Sequence, residues 1–240
     1  MMRILRHSDH LVQLTWYGMV NAWLVREADG LTLVDTGLPG SAAGIVRAAD
    51  ELGTSIARVV LTHGHLDKVG GLEGLRAQLP DALVAIGRRE ARLLLGDSRP
   101  EPGEPSFSPG PYFPRLRILA DRLLDSGDRI GSLLMIQTPG HTPGHVAWLD
   151  LRDRTLIAGD AFAGFGDLGV PGFVRPWFPI PALGTWDRRA ALISARTLSA
   201  LHPSRLAMGH GELVDGPVPI LDRALARAEV HPAFGAGSGR

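Results

Sequence analysis

The stretch Val59-Val60-Leu61-Thr62-His63-Gly64-His65-Leu66-Asp67-Lys68-Val69-Gly70-Gly71 constrains this chain more than any other. Its apolar, β-branched opening predicts a buried strand. The strand halts at two histidines and an aspartate in alternate positions, and a helical pattern follows from Val69 to Leu79. Side chains so placed, just past a strand end, can converge on one point. Neutral imidazole and carboxylate are nitrogen and oxygen ligands of zinc, held at roughly 2.0–2.2 Å. The stretch reads as a place to hold a metal ion.

Around it, short strands are predicted at Leu11–Tyr17, Val20–Arg26 and Leu31–Asp35, joined as a meander by turns at Gly18 and Ala28-Asp29-Gly30. A helix is predicted over Leu38–Leu52, closed by Gly53, and the strand Ile56–Leu61 leads into the motif. Beyond the motif come a strand at Leu83–Ile86 and a short helix at Arg88–Leu95. Residues 96–114 are too rich in proline, glycine and serine for regular structure and read as an excursion over the surface, of the kind that forms lids. Strand signals resume from Arg117 to Ile130 and recur at Leu133–Gln137, Val146–Asp150, Thr155–Ala158 and Arg205–Met208. Helices are predicted at Asp187–Leu201 and Pro217–Ala228, and residues 235–240 read as a flexible tail.

Bulk properties narrow the function. The 240 residues are enough for a single domain over 1–240 with a substantial core. With 25 basic and 25 acidic residues the formal net charge is zero, which gives no expectation of a nucleic-acid or membrane partner. Cysteine is absent, so any metal site is built from histidine and carboxylate. The N-terminus has no long apolar run: Arg3, Arg6, His7, Asp9 and His10 interrupt it. No apolar stretch of about 18 residues occurs anywhere. The expectation is a soluble, cytoplasmic protein.

Val34-Asp35-Thr36-Gly37, His63-Gly64-His65-Leu66-Asp67, Pro139-Gly140-His141-Thr142-Pro143-Gly144-His145, Ala158-Gly159-Asp160 and Gly209-His210-Gly211 follow one another in that order. Together they resemble the metallo-β-lactamase-fold hydrolases, over most of the chain from about Leu11 to Leu213. The resemblance implies a mixed α/β (α+β) fold, a four-layer αββα sandwich with the site at one edge of the paired sheets. It also implies a first metal site at His63, His65 and His141, and a second at Asp67, residue 68 and His210, with Asp160 bridging the two. The implied cofactor is zinc, one ion or two, with iron or manganese as alternatives. Asp35 would support an imidazole or the loop. His145, after a Pro-Gly turn, is expected to bond backbone rather than metal. His7, His10, His202 and His231 read as surface or packing residues.

Position 68 departs from the family, which has histidine there. Lys68 is also the only lysine in the chain. A protonated lysine has no lone pair to donate, and its charge repels a cation. In one arrangement a single ion sits at His63, His65 and His141, and the ammonium replaces the second ion, pairing with Asp67 or Asp160 or stabilising an oxyanion. In another, Lys68 is deprotonated and ligates. In a third it turns to solvent and a second ion is held weakly by Asp67, Asp160 and His210. Asp67, freed from strict ligation, is a candidate general base. The catalytic set is then Asp67, Lys68 and Asp160.

The segment from Asp160 to Trp186 carries Phe162, Phe165, Phe173, Phe178, Trp177, Val170, Val174 and Ile180 among frequent glycines and prolines. It reads either as a pocket wall or as core packing or a homodimer contact. As a pocket wall it implies a small-molecule substrate with an apolar portion, and Arg175 and Arg188 are available for an anionic group. The Gly-His-Thr-Pro-Gly-His and Gly-His-Gly forms resemble the lactonase and glyoxalase-type thioesterase branches. Only 30 residues follow His210, short of the added helical domain of the glyoxalases. The leading expectation is a lactonase- or esterase-like hydrolase of a lactone, ester or thioester. Two alternatives stand beside it: a mono-iron oxidoreductase resembling persulfide dioxygenases, and a non-catalytic scaffold in which Lys68 marks lost chemistry.

Overall fold

The computed structural model describes residues 2–117, 120–164, 166–172 and 184–231. Two sheets lie face to face. The first contains β1 (Met2–Arg6), β2 (Leu11–Trp16), β3 (Val20–Glu27), β4 (Gly30–Val34), β5 (Ile56–Val60), β6 (Leu83–Gly87) and β7 (Arg122–Leu124), in sequence order. Strands β1 to β4 form an antiparallel meander, and β4 to β7 run parallel. The second contains β8 (Arg129–Ile130), β9 (Leu133–Gln137), β10 (Val146–Asp150), β11 (Thr155–Ile157), β12 (Arg205–Ala207) and β13 (Val214–Asp215), in the order β13-β12-β11-β10-β9-β8. All its pairings are antiparallel except β11 with β12.

Three apolar layers hold the sandwich. Between the sheets, Trp23, Val34, Val60, Met135, Trp148 and Ile157 form one cluster. Outside the first sheet, Ile45 of α1 (Ala42–Glu51) and Leu72 and Leu75 of α3 (Leu72–Gln78) join Leu14, Leu33 and Val59. Outside the second, Ala195 and Leu198 of α5 (Arg188–Ser199) and Leu221 of α6 (Val218–Glu229) join Leu149, Leu156 and Leu206. Strands sandwiched in this way are buried on both faces. Every residue of β2 and β4 is accordingly buried, Gln13, Thr15 and Thr32 included. The expected αββα layering is present.

Four expectations need correction. The helix over Val69–Leu79 is two pieces, α2 (Leu66–Val69) and α3, broken at Gly70-Gly71. A Cβ on Gly70 would lie 2.4 Å from the Pro39 nitrogen, and one on Gly71 would lie 2.3 Å from the Thr36 carbonyl oxygen. The glycines are there for close approach to that loop. The helix expected from Leu38 begins only at Ala42, because Gly37 and Gly40 take φ of +67° and +86° and turn the chain first. The strand run Arg117–Ile130 is confined to β7 and β8, with Asp128 N–H donating to the Asp125 carbonyl in the turn between them. Strand β1 falls where no strand was expected; it is an edge strand whose Met2 and Ile4 pack inward against the α1 layer.

Between α4 (Arg88–Leu94) and β7 no helix or strand occurs among the described residues. The tail 235–240 lies outside the described residues. No described helix is long and apolar enough to cross a membrane.

The topology places the motifs together. Parallel β4 and β5 end at one edge of the first sheet, delivering Asp35 and Thr62-His63. The β9–β10 connection carries His141 to His145, and parallel β11 and β12 deliver Asp160 and His210. Cross-sheet bonds pin this edge: Val146 N–H donates to the Thr62 carbonyl at 2.9 Å, and Asn21 N–H to the Gly209 carbonyl at 2.9 Å.

Candidate metal centre

Each of the three imidazoles expected at the first site presents one ring nitrogen to a common point. His65 Nδ1 lies 3.1 Å from His63 Nε2 and 3.0 Å from His141 Nε2. The surroundings set the tautomer of His63. Thr62 donates its hydroxyl proton to Asp35 Oδ2 at 2.8 Å, so it can only accept from His63 Nδ1, 3.0 Å away. The proton therefore sits on Nδ1, and the Nε2 lone pair faces the centre. His141 Nδ1 lies 3.1 Å from the Thr185 hydroxyl, an arrangement that likewise leaves Nε2 free for the centre. Burial holds His63, His65 and His141 below their ordinary range, in the neutral form a metal requires.

Asp160 joins this group to a second. Its Oδ2 lies 3.4 Å from His141 Nε2, 3.7 Å from His63 Nε2 and 3.2 Å from His210 Nε2. Asp67, Asp160 and His210 also cluster, with donor atoms within 4.8 Å of one another, as do those of the three imidazoles. Three neutral imidazoles and a carboxylate oxygen are the donor set of a zinc-type ion. Their spacing is close to that of ligands about 2 Å from one ion. The first group fits a divalent cation.

The second group already holds a cation. Lys68 is completely buried, and its Nζ pairs with Asp67 Oδ2 and lies 3.1 Å from His210 Nε2 and 3.3 Å from Asp160 Oδ1. The arrangement with Lys68 in solvent is thereby excluded. Burial alone would lower Lys68, but the carboxylates of Asp160 and Asp67 outweigh it and hold it above its ordinary value, against a deprotonated ligand. Burial pushes His210 down and Asp160 pulls it up, to about 9. With Nδ1 2.7 Å from the Met19 carbonyl and Nε2 3.2 Å from Asp160 Oδ2 and 3.3 Å from Asp67 Oδ2, His210 has an acceptor facing each ring nitrogen, and it shares these carboxylates with the Lys68 ammonium. Burial raises Asp67, and Lys68 more than reverses this, keeping it ionised and well below the usual carboxylate range. So weak a base accepts hydrogen bonds better than protons, which counts against Asp67 as a general base.

Several residues brace the centre. Asp35, at φ +63°, accepts the Thr62 N–H at 2.7 Å as well as its hydroxyl. His145 bonds backbone as expected: its Nε2 accepts the Asp160 N–H at 3.1 Å while Nδ1 meets the Thr138 hydroxyl at 2.8 Å. Glu90, unremarked in the sequence, ties two ligand loops together. Its Oε1 accepts the Gly64 N–H at 2.6 Å and its Oε2 the Thr142 hydroxyl at 2.9 Å. Asn21, equally unremarked, donates from Nδ2 to the Met208 and Gly211 carbonyls flanking His210, at 3.0 and 2.7 Å. Nothing in their local sequence marks either residue.

From the expected pocket wall, Phe162 and Val170 are core residues under α5 and α6. Phe165, Phe173, Val174, Arg175, Trp177, Phe178 and Ile180 lie outside the described residues, and Arg188 opens α5. The 96–114 excursion does reach the centre. Phe113 is buried with its ring edge-on to His65 at 5.8 Å, and the Tyr112 carbonyl accepts the Leu66 N–H at 2.8 Å. A third cluster, His10, Asp150 and Asp153, is a salt-bridge network neutralised by Arg152 and Arg205.

Comparison with known proteins agrees with this geometry. The sequence profile of the metallo-beta-lactamase superfamily matches residues 15–210. The chain is 40% identical to Uncharacterized protein YobT of Bacillus subtilis (strain 168), over 95% of this chain and 99% of that one. It is 31% identical to Probable metallo-hydrolase YflN of the same organism, over 78% of each. Among solved structures, a metallo-beta-lactamase from Pontibacter korlensis superposes with a TM-score of 0.72 at 16% identity, over 96% of this chain and 100% of that one, and so shares the fold. Profile and relatives cover most of the chain, and this protein belongs to the metallo-beta-lactamase superfamily.

Proposed function

We propose that the chain is a metal-dependent hydrolase of a small ester-like bond: a lactone, an ester or a thioester. The observation that carries this reading is the convergence of His63 Nε2, His65 Nδ1 and His141 Nε2, two of them 3.0–3.1 Å from the third, with Asp160 Oδ2 alongside. A divalent ion bound there supplies Lewis acidity, lowering the pKa of water toward neutrality and polarising a carbonyl oxygen.

The protein's own groups do the rest. His63, His65 and His141 hold the ion as neutral donors. Asp160 stands at the junction of both groups, where its carboxylate directs a water hydrogen and sets the side of attack. Asp67, part-exposed where Lys68, Asp160 and His210 are buried, orients the attacking water as an ionised acceptor. Phe113 packs against His65 and excludes bulk water from that flank, which strengthens the electrostatics inside. The apolar ring also favours a substrate with an apolar portion.

Elemental analysis of purified protein, followed by hydrolysis assays on lactones, esters and thioesters before and after chelation, tests the proposal. The expected result is a bound divalent metal, turnover of at least one class, loss on chelation and recovery on reloading. Metal-free protein with no rate above the chelated control overturns it.

A further inference from the structure

We infer that the Lys68 ammonium is a built-in replacement for a second cation, so that the centre takes one metal ion, at the three imidazoles, and none at Asp67, Asp160 and His210. The inference rests on the hydrolase reading in taking the imidazoles as the site of that one ion.

Three observations carry it. The first is position. Lys68 Nζ pairs with Asp67 Oδ2, lies 3.1 Å from His210 Nε2 and lies 3.3 Å from Asp160 Oδ1. Those are the three side chains whose donor atoms form the second group. An ion bonded to all three at roughly 2.0–2.2 Å would compete with Nζ for the same three side chains. The second is charge. The two carboxylates are met by the ammonium within contact distance, and an added divalent ion would face that positive charge at close range in a buried site.

The third is room. Lys68 is fully buried, so its side chain has no course into solvent. A Cβ on Gly209 would lie 2.7 Å from Lys68 Cε, 3.1 Å from Nζ and 2.1 Å from Asp160 Oδ1. Position 209 is thus shaped around the lysine head and its carboxylate partner. The ammonium faces the carboxylates of Asp67 and Asp160. Lys68 is a positioning residue: it holds Asp67 and Asp160 in place and does not touch the reacting atoms.

The test is cobalt(II) titration of metal-stripped wild type, Lys68→His and Lys68→Ala, followed by visible absorption and by equilibrium dialysis with elemental analysis. Histidine restores a neutral donor, and alanine vacates the position. The expected result is saturation at one equivalent for wild type and two for both variants. Cobalt should also raise the melting temperature of Lys68→Ala more than that of wild type, since the carboxylates of Asp67 and Asp160 would regain the cation that the lysine supplied. If Lys68→Ala does not fold, Lys68→His decides alone. Wild type saturating at two equivalents overturns the inference and leaves the hydrolase reading standing. So does a folded Lys68→His that stays at one. Wild type that takes no metal sinks the hydrolase reading and this inference with it.

Discussion

His145 Nε2 accepts the backbone N–H of Asp160 at 3.1 Å, so a histidine that faces neither donor cluster fixes the carboxylate the two clusters share. The acceptor role demands a bare Nε2, which puts the ring proton on Nδ1, against the Thr138 hydroxyl at 2.8 Å. Replacing His145 with alanine strands a buried N–H and opens a hole beside His63, whose ring centroid is 5.0 Å away. The expected loss is about 2–4 kcal/mol in urea denaturation. Metal affinity should fall by about 10–100-fold, as for other residues that hold ligands in place. The native site also resists protonation: burial lowers His145 from 6.5 to about 4. Its contribution is complete above pH 6.5 and declines as pH falls toward 4, because the unfolded chain takes up the proton first. The stability gap between wild type and the alanine variant should therefore narrow over that window. A constant gap would refute this role.

Glu90 has the opposite dependence. Burial raises its carboxyl to about 7, even though Gly64 and Thr142 donate to it. A raised acid contributes most below its unfolded value of 4.5, and the contribution fades as pH rises through 7. Glu90→Gln keeps the shape without the ionisation. Wild type should lose stability relative to Glu90→Gln between pH 5 and 8, by about 3 kcal/mol at most. Parallel denaturation curves for the two proteins across that range would show that Glu90 does not titrate there.

How much of this was legible in the sequence depends on the range over which each residue acts. His63, His65 and Asp67 announce themselves because a strand end and its loop are local features. The Asp35, His141, Asp160 and His210 motifs each sit at a strand end too, which is why their order carried the fold. Glu90 and Asn21 could not be read this way. Their partners lie 26 and 187–190 residues away, and nothing in Arg88-Arg89-Glu90 distinguishes a surface helix from one turned toward the centre. Met2 and Ile4 did alternate inward, but five residues at an edge give a weak period signal beside the charges of Arg3 and Arg6. Gly70-Gly71 looked tolerable within one helix, and only the backbone of Thr36 and Pro39 passing over it shows why the helix breaks.

The excursion after α4 is latched by Arg89, a side chain 7% exposed that forks onto Glu104 at 2.7–3.1 Å. Glu104→Ala would leave a buried guanidinium with only Glu101, at 4.0 Å, in place of its partner. Because Glu104 itself is 18% exposed, the expected cost is about 1–3 kcal/mol, below that of a fully buried pair. Arg89→Met should cost less, since it removes the charge as well as the bond. Limited proteolysis should show faster cleavage within 96–117 for Glu104→Ala than for Arg89→Met. The reverse order would show that the charge pair is not what holds the segment.

Metal removal offers the last check, because it reads folding free energy rather than turnover. An ion that binds the native imidazoles but not the unfolded chain stabilises by about 2.7 kcal/mol when its free concentration is 100 times its dissociation constant. For a chain of this length that is a rise in melting temperature of roughly 5–10 °C over the chelated protein. His141→Ala removes one of the three nitrogens that converge at 3.0–3.1 Å and should flatten the response. His10→Ala, in the arginine-neutralised cluster, should leave the response intact. A wild type that melts at the same temperature with and without divalent ions would mean the three imidazoles do not hold a cation in the folded protein. An equal response in His141→Ala would mean the ion sits somewhere else.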